Sequence, residues 1–433
     1  VAAAVGEALE GVAITRLRPP YTPVALGAFA GHHRGRDFRP TRLTPSHGWA
    51  EAQGAVFVEA GAWLRAQYFP QPGETDWLQT VSREVRTVRT AVGVCDVSTL
   101  GKLELQGPDA VSFLERVYAN RFRSLAVGRC RYGLMLREDG MVMDDGTVAR
   151  FGPERFLVTT TTANAVAVNQ HWHYCHQVLW PELDVQFVST TEHWAQFAVA
   201  GPRARELLSR LVAKPEELAD ERLPYLGCTE IMLDDGLPAR LYRVSFSGEL
   251  AYEIAVRADA GDSLMRRLMA AGTTLGVVAY GTEALGVMRI EKGHVAGNEL
   301  TGMTTAWDLG LQRLVADRED FVGAAMARRP ALLDPARPRL VGLRPVDPSR
   351  RLFAGAHCLP TGTSLTAEHD QGYLTSVAWS PSLGHWIALA LVSHGPERHG
   401  ERLRAVDLLR GQETLVEICD PVFLDPGGER LRG

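Results

Sequence analysis

Two adjacent aspartates, Asp144 and Asp145, sit in the otherwise apolar run MLREDGMVMDDGTVAR at 135–150. Asp is a poor strand former, and burying a carboxylate without partners is costly. An inward member of the pair is therefore a candidate for acid–base chemistry or for holding a donor-rich ligand. The competing reading is a carboxylate that caps a nearby backbone amide. Asp139-Gly140 is a strong hairpin turn. A two-residue turn there pairs Leu136 with Met143, Leu134 with Asp145 and Tyr132 with Thr147, all on one face. Met135, Arg137, Val142 and Asp144 take the other. Asp145 is thus expected to point inward with Tyr132, Leu134 and Thr147, while Asp144 is solvated or paired with Arg137. A turn changed by one residue exchanges the two aspartates.

A second carboxylate stands out in YRVSFSGELAYEIAV (242–256). After the turn Ser247-Gly248-Glu249, Tyr252, Ile254 and Val256 alternate with Ala251, Glu253 and Ala255, which leaves Glu253 among alanines. Strand glutamates are ordinarily solvated, so Glu253 gains weight only from an internal echo. LELQGPDAVSFLERV (103–117) and FAVAGPRARELLSRL (197–211) share a plan of short strand, Gly-Pro and helix, with proline where a first helical turn tolerates it. Hairpin regions follow at 131–150 and 229–256. The expectation is one domain of two βαββ-like halves, with the two acids at matching places and any ligand near the junction.

Other elements must position these residues. Residues 1–75 are rich in Pro, Gly and Arg and read as an extended arm. Its Arg34, Arg36, Arg39 and Arg42 suit phosphate, but a net charge of -5 argues against a nucleic-acid footprint. Docking on another subunit or domain is the preferred role. Asp76 and Gln79 form a capping box before a helix with Trp77, Val81, Val85, Val88 and Val92 on its apolar stripe. Residues 261–293 read as two helices around GVVAYG. From about 338, RLVGLRPV, GYLTSVAWS, HWIALALV, ERLRAVDLL and ETLVEICDP read as short strands of a small barrel or sandwich. The division is an arm over 1–75, duplicated α+β units over 76–335 and a β-barrel-like domain over 336–433.

Hydrophobic residues are 45% and charged residues 22% of the 433, ordinary for a globular chain. No apolar run approaches the roughly 18 residues of a membrane span. The start lacks a signal-peptide pattern, and six scattered cysteines without CxxC suit a reducing cytoplasm. HWHYCHQ (171–177) places His171 and Cys175 at i,i+4, but zinc needs further ligands, and no metal is expected. EKGHVAGNE (291–299) is expected to be a turn after a helix, with no cysteine for thiol chemistry. No GxGxxG follows a strand, and with no initiator Met a processed chain or a fragment is expected.

VGVCDVSTLGKLELQGPDA, GMVMDDGTV, FAVAGPRA, SFSGELAYEI, MRIEKG, DFVGAAM and SPSLGHWIALALV occur in that order. Together they resemble the aminomethyltransferase (glycine-cleavage T-protein) family. With RPPYTPVALGAFAG, GRDFRPTRLTP and VFVEAGAWLRAQYFP, the chain is most similar to the branch forming the C-terminal, folate-binding half of sarcosine oxidase alpha subunits. That resemblance implies an α+β, three-domain cloverleaf around a central folate site. It places the catalytic acid on Asp145, the pterin-binding acid on Glu253, and Tyr132, Leu134 and Thr147 around the folate. Phe246-Ser247-Gly248 stands for the family's Tyr-Thr-Gly, and no arginine in YGTEALGVMRIE (280–291) takes the family's usual place. The implied activity captures the one-carbon unit of oxidised sarcosine on tetrahydrofolate, giving 5,10-methylenetetrahydrofolate and glycine, with flavin on a partner subunit of a hetero-oligomeric oxidase. The alternatives are a stand-alone aminomethyltransferase-like enzyme and a non-catalytic folate-binding assembly or regulatory module. The retained Asp145 and Glu253 favour an enzyme.

Overall fold

The computed structural model describes residues 41–433; Arg34, Arg36, Arg39 and most of the expected arm lie outside the described residues. The described part of that arm does not stay extended. β1 (Arg42–Leu43), α1 (His47–Ala52), β2 (Val56–Ala60) and β3 (Trp63–Tyr68) make a helix and a three-stranded sheet. Trp49, Trp63 and Phe69 are buried, and Trp49 and Phe69 join a large hydrophobic core. The arm reading is therefore corrected from Arg42 onward. Its Pro- and Arg-rich composition masked aromatic anchors, each of which buries on the order of 150–250 Å². Arg42 pairs with Glu192 at 2.9 Å.

Asp76 caps α2 (Trp77–Thr90) by accepting from Gln79 N at 2.9 Å. Val81, Val85 and Val88 form its buried stripe, whereas Trp77 is exposed. Buried Glu84 accepts from Phe69 N at 2.7 Å and Gly281 N at 3.0 Å, which ties the small sheet to the rest.

β4 (Val92–Asp96) precedes the first copy of the repeat: β5 (Gly101–Gln106), α3 (Ala110–Val117), β6 (Arg129–Leu136), β7 (Val142–Gly152) and β8 (Arg155–Thr160). α4 (Ala165–Tyr174) and β9 (Gln186–Ser189) lead to the second copy: β10 (Trp194–Ala200), α5 (Ala204–Ser209), β11 (Cys228–Met232), β12 (Pro238–Tyr242) and β13 (Ala251–Arg257). The sheet orders are β6-β7-β8-β5-β9 and, after α6 (Gly261–Gly272) and β14 (Val277–Ala279), β11-β12-β13-β10-β4-β14. Each copy is thus strand, helix and a three-stranded meander, one strand more than βαββ. Asp145 lies on the second strand of its meander and Glu253 on the third, so the two acids do not occupy matching places.

The tail closes a barrel in the order β15-β18-β17-β16-β19-β20, built from β15 (Pro338–Pro345), β16 (His357–Pro360), β17 (Gly372–Ser380), β18 (His385–Ser393), β19 (Arg402–Asp407) and β20 (Gln412–Cys419). α7 (Thr282–Glu291) couples it to the duplicated part. Buried Glu291 accepts from Arg89 and, at 2.5 Å, from Ser380 Oγ. Buried Arg289 donates to Glu299 at 2.8 Å and to Ser376 at 2.6 Å. The MRIE stretch is therefore a lock between domains, and breaking either pair would strand a buried charge at a cost of about 3–5 kcal/mol.

Candidate active site

Each sheet of the repeat buries one face against helices. Leu103, Leu105, Met135, Val148 and Phe156 pack with Phe113 of α3 and Trp172 of α4. Phe197, Val199, Leu241, Tyr252 and Ile254 pack with Leu207 of α5 and Leu264 of α6. The opposite faces meet each other. Cys130, Ala149 and Leu157 of the first sheet and Cys228, Tyr242 and Ala255 of the second form one buried cluster. β6 and β11 are stitched beside it by Cys130 N to Leu226 O at 2.7 Å and Cys228 N to Gly128 O at 2.9 Å. Because strand side chains alternate, Tyr132, Leu134, Asp145 and Thr147 continue the Cys130–Ala149 face. Glu253, paired in register with Tyr242 and Ala198, continues the facing one.

The hairpin register explains which aspartate is which. Tyr132 pairs with Thr147, Leu134 with Asp145 and Met135 with Asp144, but Leu136 pairs with Val142 across a bulge. The turn is one residue longer than two, with Arg137 N bonded to Met141 O at 2.8 Å and Gly140 at φ 86°. The bulge at Met143 cancels that extra residue, so Asp145 keeps the expected partner although the expected Leu136–Met143 pair is wrong.

Gly133 pairs with Gly146 between the Tyr132–Thr147 and Leu134–Asp145 pairs. A Cβ on Gly146 would lie 1.9 Å from Thr159 O, and one on Gly133 2.7 Å from the Tyr118 ring. Only glycine lets the strands and α3 pinch together here. Asn120 fixes the same spot, donating to Tyr132 O at 3.1 Å and accepting from Leu134 N at 2.8 Å.

Asp145 is partly exposed. Tyr132 Oη donates to its Oδ2 at 2.6 Å, and Thr161 Oγ1 lies 3.4 Å from its Oδ1. Burial raises the Asp145 carboxyl above the usual range, against the pull of the Tyr132 hydrogen bond. Burial and the neighbouring Asp145 charge keep the Tyr132 phenol protonated and a donor.

Asp144 is not solvated and does not pair with Arg137, which binds Asp139 instead. It is fully buried, accepting from Thr161 Oγ1 at 2.5 Å, Thr161 N at 3.2 Å and Asn164 Nδ2 at 3.0 Å. These donors come from the turn after β8, which hairpin periodicity cannot see. Burial lifts Asp144 to about 6, with the Asp145 charge adding to it.

On the facing sheet, Gln196 Nε2 donates to Glu253. Gln196 is itself fixed, its N–H bonded to Ser98 Oγ at 2.9 Å. Its Oε1 is buried without a partner. Burial raises Glu253, opposed by the Gln196 hydrogen bond and the Lys102 charge. Lys102 is buried, donates to Ser98 O at 2.9 Å and Leu100 O at 3.0 Å, and is pushed down to about 8 by burial. Sequence reasoning missed Thr161, Asn164, Asn120, Gln196 and Lys102. Only Lys102, a charge within an apolar strand run, carried a readable signal.

The hairpin thus brings Tyr132, Leu134, Asp145 and Thr147 together opposite Glu253. Leu134 is fully buried and belongs to the core between the domains. Phe246 lies in the loop between β12 and β13, 39% exposed, with its ring stacked on His294 at 5.6 Å.

A family model described as GCVT N-terminal domain matches residues 46–318, and one described as glycine cleavage T-protein C-terminal barrel domain matches 339–425. The chain belongs to the glycine cleavage T-protein family. It is 50% identical over 433 residues to the sarcosine oxidase subunit alpha of Rhizobium meliloti (strain 1021), covering 100% of this chain and 44% of that protein. It is 32% identical over 355 residues to an aminomethyltransferase of Corynebacterium aurimucosum, covering 81% of this chain and 89% of that one. The chain therefore spans less than half the length of the sarcosine oxidase alpha subunits it matches. The crystal structure of the glycine cleavage system aminomethyltransferase T from Bartonella henselae superposes with a TM-score of 0.76 at 23% identity, over 89% of this chain and 98% of that one. The T-protein fold is shared, including the closed barrel. No helix among the described residues is long and apolar enough to cross a membrane.

Proposed function

We propose that this chain is the tetrahydrofolate-binding, methylene-capturing part of a sarcosine oxidase alpha subunit, with tetrahydrofolate held between the two facing sheets. The observation that carries this reading is the pairing of Asp145, held by Tyr132, with Glu253 on the opposite face, both partly exposed. The polar atoms of this chain fit the ligand. A pterin edge offers ring N–H and amino donors, and Glu253 beside the unpartnered Gln196 Oε1 offers acceptors. When bound, tetrahydrofolate supplies the nitrogens that take up a one-carbon unit, giving 5,10-methylenetetrahydrofolate and glycine.

The chain's own residues do the rest. Asp145, its carboxyl raised by burial, takes a proton from the reacting nitrogen and faces cationic charge as it develops. Tyr132 holds its Oδ2, so Oδ1 is the oxygen left to act. Enclosure between the sheets excludes water that would release the one-carbon unit as formaldehyde. The imine is made on a flavin-bearing partner subunit, and the chain acts in the cytoplasm without nucleic acid. Matching an aminomethyltransferase over 89% of that relative's length supports a second reading, a stand-alone enzyme that needs no flavoprotein.

The test assays sarcosine oxidation with tetrahydrofolate, with and without the flavin-bearing subunit. The expected result is methylenetetrahydrofolate and glycine only when the subunit is present. Transfer without it favours the second reading. Calorimetry that detects no tetrahydrofolate binding to the full chain overturns both.

A further inference from the structure

Thr161 stands between the two aspartates. Its Oγ1 is 2.5 Å from Asp144 Oδ1 and 3.4 Å from Asp145 Oδ1. A hydroxyl has one proton and two lone pairs. The short contact commits the proton to Asp144 and leaves a lone pair toward the Asp145 oxygen that Tyr132 does not hold. We propose that Asp144 and Thr161 form a proton relay that empties Asp145, making both of them positioning residues for the acid–base step. This rests on the folate reading above only for the source of the proton.

The step balances. With a proton on Asp145 Oδ1, that O–H donates to Thr161 Oγ1. The Asp145 O–H bond breaks as a new Thr161 O–H forms, and the original Thr161 O–H breaks as Asp144 Oδ1–H forms. Charge moves from Asp144 to Asp145, and nothing is oxidised or reduced. The surroundings accommodate both states. Asn164 Nδ2, which donates to Asp144 Oδ1 at 3.0 Å, also has Met143 O at 3.2 Å as an acceptor. Thr161 N continues to serve Asp144 Oδ2.

The other ionisable groups facing the pair are Tyr118, the residue after α3, and Tyr132 of β6. Burial first, and then the aspartate charges, keep both phenols neutral. The turn after β8 contributes only Thr161 and Asn164. An acid near 6 is matched to receive a proton at neutral pH and release it again.

Thr161→Val keeps the shape and removes the hydroxyl; Thr161→Ser keeps the hydroxyl. The primary readout is an infrared titration of the carboxyl stretches in the folate-free full chain. The Asp145 charge acts on Asp144 directly, so the two steps stay linked in every form; Thr161→Val should change their separation, and Thr161→Ser should match wild type. In the capture assay, Thr161→Val should lose about ten- to a hundredfold, less than removal of the acid–base group itself. Its low-pH limb should shift, and Thr161→Ser should restore rate and limb. Asp144→Asn gives a second route, since it should abolish one titration step and move the same limb. Unchanged infrared steps and an unmoved limb in Thr161→Val, with only a lower Tm, would overturn the relay and leave Asp144 as a cap for the end of β8. Steps whose separation Thr161→Val changes, in a chain whose wild type captures no methylene, would support the relay and sink only the folate reading.

Discussion

Asp145 and Glu253 look across the same inter-sheet space from two copies of one topology, yet they keep different company. Asp145 has neutral partners: a tyrosine at 2.6 Å and a threonine at 3.4 Å. Glu253 has a fixed glutamine and the charge of buried Lys102. Neutral partners beside a raised acid leave it free to change protonation, which is what an acid–base group needs. A cation close to an acid favours its charged form, which is what a ligand-holding group needs. The duplication supplies two rigid faces. The proposed division of labour would come from which strand of each meander carries the acid and what the neighbouring loop adds.

The comparison breaks most readily at Asp145. Asp145→Asn keeps shape and removes basicity, so amine oxidation by the flavin-bearing subunit should continue while capture falls by about 10²–10⁴-fold, with formaldehyde taking the place of methylenetetrahydrofolate. Tetrahydrofolate affinity should change little. Product partitioning at folate saturation measures the first effect and calorimetry the second. Lost affinity with normal partitioning would reverse the roles of the two faces.

Asp144→Asn tests the buried member of the pair through stability. The folded pKa of Asp144 is raised from 3.8 to about 6. The folded state therefore binds more protons than the unfolded one between those values, and the contribution of Asp144 to stability declines as pH rises through that window. The charge costs the fold up to about 3 kcal/mol above pH 6. Buried Glu84, raised by burial to about 7, acts in the same direction, and His294, pushed down by burial to about 4, in the opposite one. The diagnostic quantity is accordingly the difference between wild type and Asp144→Asn. Urea midpoints at pH 4.5 and 7.5 should show the variant losing less stability over that interval than wild type does. Parallel curves would mean that Asp144 is not the buried acid described.

The legible parts of the molecule were those governed by local pattern. Alternation placed Asp145 with Tyr132 and Leu134, the Gly-Pro echo exposed the duplication, and five barrel strands stood out between turns. The sixth, β16, has four residues and is too short to show a period. The misreadings share one cause, which is that the features behind them leave no local period. The bulge at Met143 is cancelled by a longer turn, and neither leaves a pattern. Asp144 seemed solvated because its donors lie on the turn after β8. Glu253 seemed to match Asp145 because the third meander strand, β8, was not recognised in the first copy. The buried aromatics at 49, 63 and 69 sit in a stretch whose prolines and arginines signal an arm.

On the Glu253 side the expected effect is on affinity. Glu253→Gln replaces an acceptor with an amide that can present a donor to the donor edge of the ligand, costing about 1–3 kcal/mol in tetrahydrofolate binding. Lys102→Met should weaken binding in the same direction, since the Glu253 carboxyl, already raised by burial, loses the charge that opposes protonation. Both variants should keep the product ratio of wild type once folate is saturating. Calorimetry against pH decides the matter: unchanged affinity in both would remove Glu253 from the ligand.

The smallest effect is expected at Tyr132, and it sharpens the comparison because it asks how Asp145 is tuned. Tyr132→Phe keeps the ring that packs beside Leu134 and removes one O–H. The hydrogen bond at 2.6 Å favours the charged form of Asp145. Its loss should raise the Asp145 pKa further, since the hydrogen bond favours the charged form and water replaces it only in part. The low-pH limb of the capture rate should then move toward neutrality. Well above that limb, the rate should stay within about threefold of wild type, because a stronger base compensates for a smaller charged fraction. A large loss at every pH, with no shift of the limb, would show that Tyr132 acts on the ligand directly and does not work through Asp145.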